Sequence, residues 1–281
     1  MTGGPQGLKL WIGPPDRQGA DMQEETTMST AAEAILAARR ARRILAPLGA
    51  AAPATPEAGY AAQRAVAEAL GAAPPAGFKI GATTRQMQDY LGLSGPAAGF
   101  VPRSSLHPDG SEFRFADFLN PGVECEVGVR LGRDLPAGPT SREQAAEAVA
   151  EVFPAIEIVE RRYGDLAELG TPTLIADQVF HAAGVLGAPV AGWRGLDLGA
   201  ARGNFHVGGK VVGSGFGRDL LGHPMEALAW LAGSGAARVF GGLKAGQVVW
   251  LGSVTPPIWL EGPCEVVAEF DLLGQARLRF V

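Results

Sequence analysis

The chain has 281 residues, of which 47% are hydrophobic and 19% charged, with a formal net charge of −5. That is enough apolar material for one large domain, or one domain with a small appendage, and it excludes a disordered chain. An acidic balance argues against generic nucleic-acid binding, no apolar run approaches the ~18 residues of a membrane span, and two cysteines, Cys125 and Cys264, are too few for a disulfide scaffold.

Residues 1–28 do not read as a secretory signal, because the apolar run Leu8–Ile12 is very short. They are expected to form a flexible extension, and the protein is expected to be cytoplasmic. Thr30-Ala31-Ala32-Glu33 is a capping-box pattern that opens a helix to about Leu45. Arg39, Arg40, Arg42 and Arg43 on it are a solvated face or an oligomer contact. Thr55-Pro56 is an N-cap followed by an N1 proline, and the helix it opens ends at Gly71. Gly77–Gly81 reads as a strand and Thr84–Leu91 as a short helix. Val123–Leu131 is a strong strand. Ser141-x-x-Gln144 opens a helix through Ala150, and Ala155–Val159 is a strand again. Strands are expected at Val185–Val190, Phe205–Val212, Val248–Val254, Glu265–Leu272 and Ala276–Val281, with one late helix starting at His223-Pro224. The order is a mainly helical part at 29–95 followed by a β-rich body at 96–281. That is an α+β arrangement with a rolled or barrel-like mixed sheet.

The most informative stretch is Gly122-Val123-Glu124-Cys125-Glu126-Val127. Strand alternation puts Glu124 and Glu126 on one face, ~6.6 Å apart along the backbone. Taken alone, Glu-x-Glu also suits a solvated acidic edge. Glu157 lies in a second apolar strand, Pro154-Ala155-Ile156-Glu157-Ile158, and a buried carboxylate demands a partner. One shared cation would serve all three. Carboxylates without neighbouring thiolates favour Mg²⁺, Mn²⁺ or Ca²⁺ over zinc.

Several motifs then occur in order: Gly77-Phe78-Lys79-Ile80-Gly81, Glu124-Cys125-Glu126, Pro154-Ala155-Ile156-Glu157, Ile175-Ala176-Asp177-Gln178, Gly213-Ser214-Gly215 with Leu221-Gly222-His223-Pro224, and Leu251-Gly252-Ser253-Val254-Thr255. From about Ala31 onward the chain resembles the fumarylacetoacetate hydrolase superfamily. It is most similar to the branch of 2-keto-4-pentenoate hydratases, 2-oxohept-4-ene-dioate hydratases and 4-oxalocrotonate decarboxylases. The resemblance implies a β-roll fold and a Mg²⁺ or Mn²⁺ ion held by Glu124, Glu126 and Glu157. It implies a proton-transfer or electrostatic role for Lys79 and a supporting role for Asp177, which would orient Lys79. A hydratase of a 2-hydroxy-2,4-dienoate in aromatic-compound degradation is expected, working through a metal-stabilised enolate. The alternatives are a 4-oxalocrotonate-type decarboxylase, an acylpyruvate C–C hydrolase, or a weakly active partner subunit of a hydratase–decarboxylase complex. A homo-oligomer is expected.

Desolvation between Phe78 and Ile80 is expected to lower the Lys79 pKa. Ser214, Ser253 and Thr255 are candidate substrate contacts, and a hydroxyl bonded to its own backbone is the competing reading for Ser214 and Thr255. His181 is a core histidine or a general base, and His223 a helix N-cap. In Gly99-Phe100-Val101-Pro102-Arg103, Arg103 stands where many hydratases carry an acid. It either recognises a second carboxylate, which suits a dioate, or is an exposed loop residue.

Overall fold

A computed structural model of the chain describes residues 31–281, so the 1–28 extension and the Thr30 cap lie outside the described residues. Helix α1 covers residues 31–40. It stops short of Leu45 because Arg42 adopts a left-handed conformation (φ 50°). The Arg42 N–H donates to Arg39 O and the Arg43 N–H to Ala38 O, the paired bonds of a Schellman end. The freed chain lets Leu45 pair with Tyr163. Helix α2 (Pro56–Ala69) starts as expected, with the Thr55 hydroxyl accepting from the Ala58 N–H at 3.2 Å. Helix α3 (Arg85–Leu91) is capped by Thr84 and ends on left-handed Gly92. Helix α4 (Arg142–Ala148) begins in the Ser141–Gln144 capping box, two residues shorter than expected at its far end. Short helices α5 (Leu166–Leu169) and α6 (Thr171–Ala176) follow, then α7 (Pro224–Ala232), capped by His223, and α8 (Gly235–Val239).

The strands are β1 (Gly77–Gly81), β2 (Ala97–Val101), β3 (Leu106–Pro108), β4 (Ser111–Phe113), β5 (Pro121–Leu131), β6 (Val149–Glu160), β7 (His181–Leu186), β8 (Arg202–Val207), β9 (Lys210–Phe216), β10 (Val248–Ser253), β11 (Ile258–Trp259), β12 (Glu265–Phe270) and β13 (Gly274–Phe280). An eight-stranded mixed sheet runs β2-β1-β10-β5-β6-β7-β3, with β11 also on β5. A five-stranded sheet runs β4-β13-β12-β8-β9. The expected single strand 205–212 is a hairpin, because Gly208 and Gly209 both take positive φ and reverse the chain. The strand expected at 185–190 sits earlier, at β7. β2 opens with Ala97-Ala98-Gly99, residues depleted in strands, and only Phe100 and Val101 carry strand preference.

The large sheet is curled. Trp250 on β10 is three strands from Gly184 on β7, ~14 Å across a flat sheet. Yet a Cβ on Gly184 would lie 2.2 Å from the Trp250 ring, and one on Gly128 would lie 2.2 Å from the Phe153 ring. These two glycines let the rings lie across the concave face. That face holds a small core of Val101, Phe153, Ala155, Val248 and Trp250. The opposite face, with Phe78, Val123, Cys125, Val127 and Ile156, joins the main core, which also takes in Ile35 and Val66 of the helices and Phe280 of the second sheet. Among the described residues no helix is long and apolar enough to cross a membrane.

Candidate metal centre and active site

Alternation along β5 puts Glu124 and Glu126 on the concave face, as the sequence indicated. The antiparallel register sets Glu124 directly opposite Glu157 on β6. Glu126 and Glu157 are fully buried and Glu124 is half-buried. One carboxylate oxygen from each of the three lies within 4.8 Å of the other two. Lys79 reaches the same place from β1, its Nζ 3.3 Å from Glu157 Oε2.

The donors around the cluster are few. Between Trp250 and Ser253 the β5–β10 register shifts, and Gly252, at φ 115°, donates its N–H to Glu126 Oε2 at 2.7 Å. Only glycine suits that backbone. Glu126 Oε1 is buried and accepts no hydrogen bond, and Glu157 Oε2 has no partner beyond the Lys79 ion pair. Three carboxylates against one ammonium leave uncompensated negative charge in a low-dielectric place. Burial pushes the Glu124 carboxyl up to about 7 and raises Glu126 and Glu157 as well. For Lys79, burial alone depresses the pKa, but Glu157, Glu124 and Glu126 together outweigh it and the net direction is upward. The lowered Lys79 pKa expected from its apolar neighbours is therefore corrected: the ammonium is held charged. Orphaned buried carboxylate oxygens converging from two strands fit a hard divalent cation.

Two adjoining cavities open on this cluster, sharing Glu124, Ala82, Gln86, Met87 and Pro256 on their walls. One, about 180 Å³, is also lined by Ser253, Thr255 and Asp219. The other, about 260 Å³, includes Lys79, Val159, Arg161, Phe180 and Trp259. Gln178, Val179 and Phe180 are three consecutive non-glycine residues with positive φ, a costly conformation that brings Val179 and Phe180 to the second cavity.

The remaining sequence candidates separate. Ser253 is engaged by backbone: its hydroxyl accepts from Cys125 N (3.1 Å) and Thr255 N (3.3 Å) and donates to Cys125 O (3.3 Å). Thr255 Oγ1 is buried without a hydrogen-bond partner. Ser214 is exposed on β9, and Arg103 is exposed in the turn Arg103–Ser105; neither lines the two cavities. Asp177 is buried, but its carboxylate serves Arg162 Nε at 2.9 Å, the Arg39 guanidinium and the Tyr163 hydroxyl, while the carboxylate beside Lys79 is Glu157. Arg39 thus turns inward from the arginine-rich end of α1.

His181 is central to the support of the cluster. Its Nδ1 is 2.8 Å from Glu157 Oε1 and its Nε2 is 2.9 Å from Ser105 Oγ. Both ring nitrogens are used, and burial holds its pKa well below the usual histidine value. It lines neither cavity at Glu124. Sequence reasoning missed Ser105, Tyr163 and Arg162 as members of this network, and Arg161, Phe180 and Trp259 as cavity walls. No local pattern marks them, since their partners lie far along the chain.

A curled mixed sheet with three carboxylates and a lysine on its concave face makes a site that could hold a metal ion, in a fold of the β-roll class. The chain belongs to the family described as fumarylacetoacetate (FAA) hydrolase C-terminal, whose model matches residues 62–281. It is 33% identical over 211 residues to a 2-hydroxyhexa-2,4-dienoate hydratase of Comamonas testosteroni, covering 73% of this chain and 77% of that one. It is 30% identical over 263 residues to a 2-keto-4-pentenoate hydratase of Paraburkholderia phymatum, covering 92% and 99% respectively. In structure it superposes on 4-oxalocrotonate decarboxylase from Pseudomonas putida G7, complexed with magnesium and adipate, with a TM-score of 0.82 at 23% identity, covering 92% of this chain and 98% of that one.

Proposed function

We propose that this chain is a divalent-metal hydro-lyase that adds water to a 2-hydroxy-2,4-dienoate, the enol form of a 2-keto-4-enoate. The observation that carries the reading is the convergence of Glu124, Glu126 and Glu157, with Lys79 beside Glu157, on a cleft wide enough for a small organic acid. Glu124, Glu126 and Glu157 would hold the cation, and magnesium is the ion proposed, as in the decarboxylase complex. When bound, such an ion supplies Lewis acidity to the two oxygens of a 2-keto-acid head.

The chain's own residues do the rest. In the metal-free protein Lys79 Nζ is held protonated by the glutamates, and it is the chain's candidate proton donor and positive charge at the site. Gly252 N–H and His181 fix Glu126 and Glu157 in position. Thr255 Oγ1, without an internal partner, is the candidate donor to a substrate oxygen. Asp177 supports the site at one remove, by anchoring Arg39, Arg162 and Tyr163. Ser214 and Arg103, proposed from the sequence as substrate contacts, find no support in the cavity walls.

The test is incubation of the purified chain with Mg²⁺ or Mn²⁺ and 2-hydroxy-2,4-dienoates with and without a second carboxylate, with the product identified. Loss of the dienol and appearance of a 4-hydroxy-2-keto acid, abolished by chelator and in Glu124→Ala, is the expected result. Metal-independent turnover, or none, overturns the reading. A 4-oxalocrotonate-type decarboxylase is the second reading, favoured by the superposition on that enzyme; loss of the distal carboxylate of an unsaturated 2-keto dioate as CO₂, without hydration, would establish it. Association with a partner hydratase or decarboxylase, or with further copies of this chain, is a proposal of the same standing. The hydrolase alternative needs a water-activating His–acid pair at the cleft. The His181–Glu157 pair has both imidazole nitrogens engaged and lies off the Glu124 cavities.

A further inference from the structure

The cavity beside Lys79 is mostly apolar: Met87, Leu91, Val159, Leu166, Phe180 and Trp259 form much of its wall. Trp259 lies over Gly122, where a Cβ would meet the indole at 2.7 Å, and packs edge-on to Phe180 at 6.2 Å between ring centres. Such a slot desolvates a hydrocarbon chain. It has one cationic wall residue besides Lys79, namely Arg161.

Arg161 differs sharply from its neighbour Arg162. Arg162 is buried and spends its donors on Asp177, Glu160 and His181 O. Arg161 is half-exposed, and among the described residues no carboxylate lies within 4.0 Å of it. Its guanidinium makes one long contact, 3.4 Å to Gly164 O. A guanidinium carries five donors, so most of these have no protein acceptor. Glu157 and Val159 share one side of β6, and Arg161 follows just past the strand's end, where the Arg162 N–H donates back to Glu160 O at 3.0 Å and turns the chain. Arg161 and Lys79 both line this cavity, so the guanidinium and the carboxylate cluster beside Lys79 share one slot.

Charge leads to the same end. A divalent cation and Lys79 together balance the three glutamates, so the head of the cleft is near neutral before substrate arrives. Arg161 then leaves one unmatched positive charge at the distal end of an apolar slot.

We propose that the substrate is a dioate, with its distal carboxylate bound by the Arg161 guanidinium and its unsaturated chain against Phe180 and Trp259. This rests on the keto-acid reading above and adds the second charge. It moves the carboxylate-recognising cation that the sequence suggested at Arg103 to Arg161, which lines the cavity where Arg103 does not.

The experiment is calorimetric titration of the Mg²⁺-loaded protein with 2-oxoadipate and, separately, with 2-oxohexanoate, which differs in lacking the distal carboxylate. The wild-type protein is expected to bind 2-oxoadipate ~10- to 100-fold more tightly, the range of a charge-assisted hydrogen-bonded pair. Arg161→Met is expected to erase that preference, and Arg161→Lys to retain part of it, with thermal melts confirming that both variants fold. Equal affinity for the two acids in the wild type overturns the proposal and leaves the keto-acid reading intact. A preference that survives in Arg161→Met also overturns it. If neither acid binds the wild-type protein, the keto-acid reading falls and the proposal falls with it.

Discussion

Glu124 and Glu157 face each other directly across the β5–β6 ladder. Like charges in such a pair are destabilising, and here Glu126 adds a third. The arrangement stores repulsion that a cation would relieve. Glu126→Gln should therefore remove metal binding without unfolding the protein. In thermal melts, saturating Mg²⁺ at about 100 times Kd should stabilise the wild type by ~2.7 kcal/mol. Glu126→Gln should show almost no Mg²⁺ shift and melt no lower than metal-free wild type. A full shift in the variant would mean that Glu126 is not a ligand.

The same repulsion sets a pH dependence. Burial raises Glu124 from the ordinary carboxylate value of 4.5 to about 7, so between those values the folded protein holds more protons than the unfolded chain. Stability of the metal-free protein then falls as pH rises through that window. Metal competes with the same proton, so Mg²⁺ affinity should rise as pH rises through about 7. Urea unfolding with and without Mg²⁺ at about pH 5 and about pH 8 checks both signs.

His181 orients Glu157 and is itself held by Ser105. Partners behind a metal ligand typically govern affinity by ~10- to 100-fold. His181→Ala should weaken Mg²⁺ binding in that range, with Ser105→Ala smaller and in the same direction. If His181→Ala instead left metal affinity intact and removed kcat, the histidine would be acting on substrate.

Asp177 carries buried Arg162, half-buried Arg39 and a tyrosine hydroxyl. Asp177→Asn leaves those cations without their counter-charge, a loss of ~3–5 kcal/mol for a broken buried pair. Chemical denaturation should show that loss, while kcat of the folded fraction changes far less. Collapse of kcat at unchanged stability would give Asp177 a direct part in the chemistry.

What the sequence determined by itself was local. Alternation along Val123–Val127 is enough to put Glu124 and Glu126 on one face. The caps at Thr55, Ser141 and His223 follow from side chains bonding backbone within a turn. Ordered motifs identified the superfamily and its curled mixed sheet. The tertiary structure decided everything that depends on register, curvature and distant partners. Glu157 is opposite Glu124 because of one antiparallel register. Lys79 is charged because three glutamates outweigh its burial. His181 is committed because Ser105 and Glu157 hold both of its nitrogens, and Asp177 is turned toward arginines rather than toward Lys79. Arg103 and Arg161 are equally cationic in one dimension. Only Arg161 stands on the wall of the cleft, because the chain turns there just past the end of β6. Short-range stereochemistry is written in neighbouring residues, whereas electrostatic environment is a sum over groups that folding brings together from far along the chain.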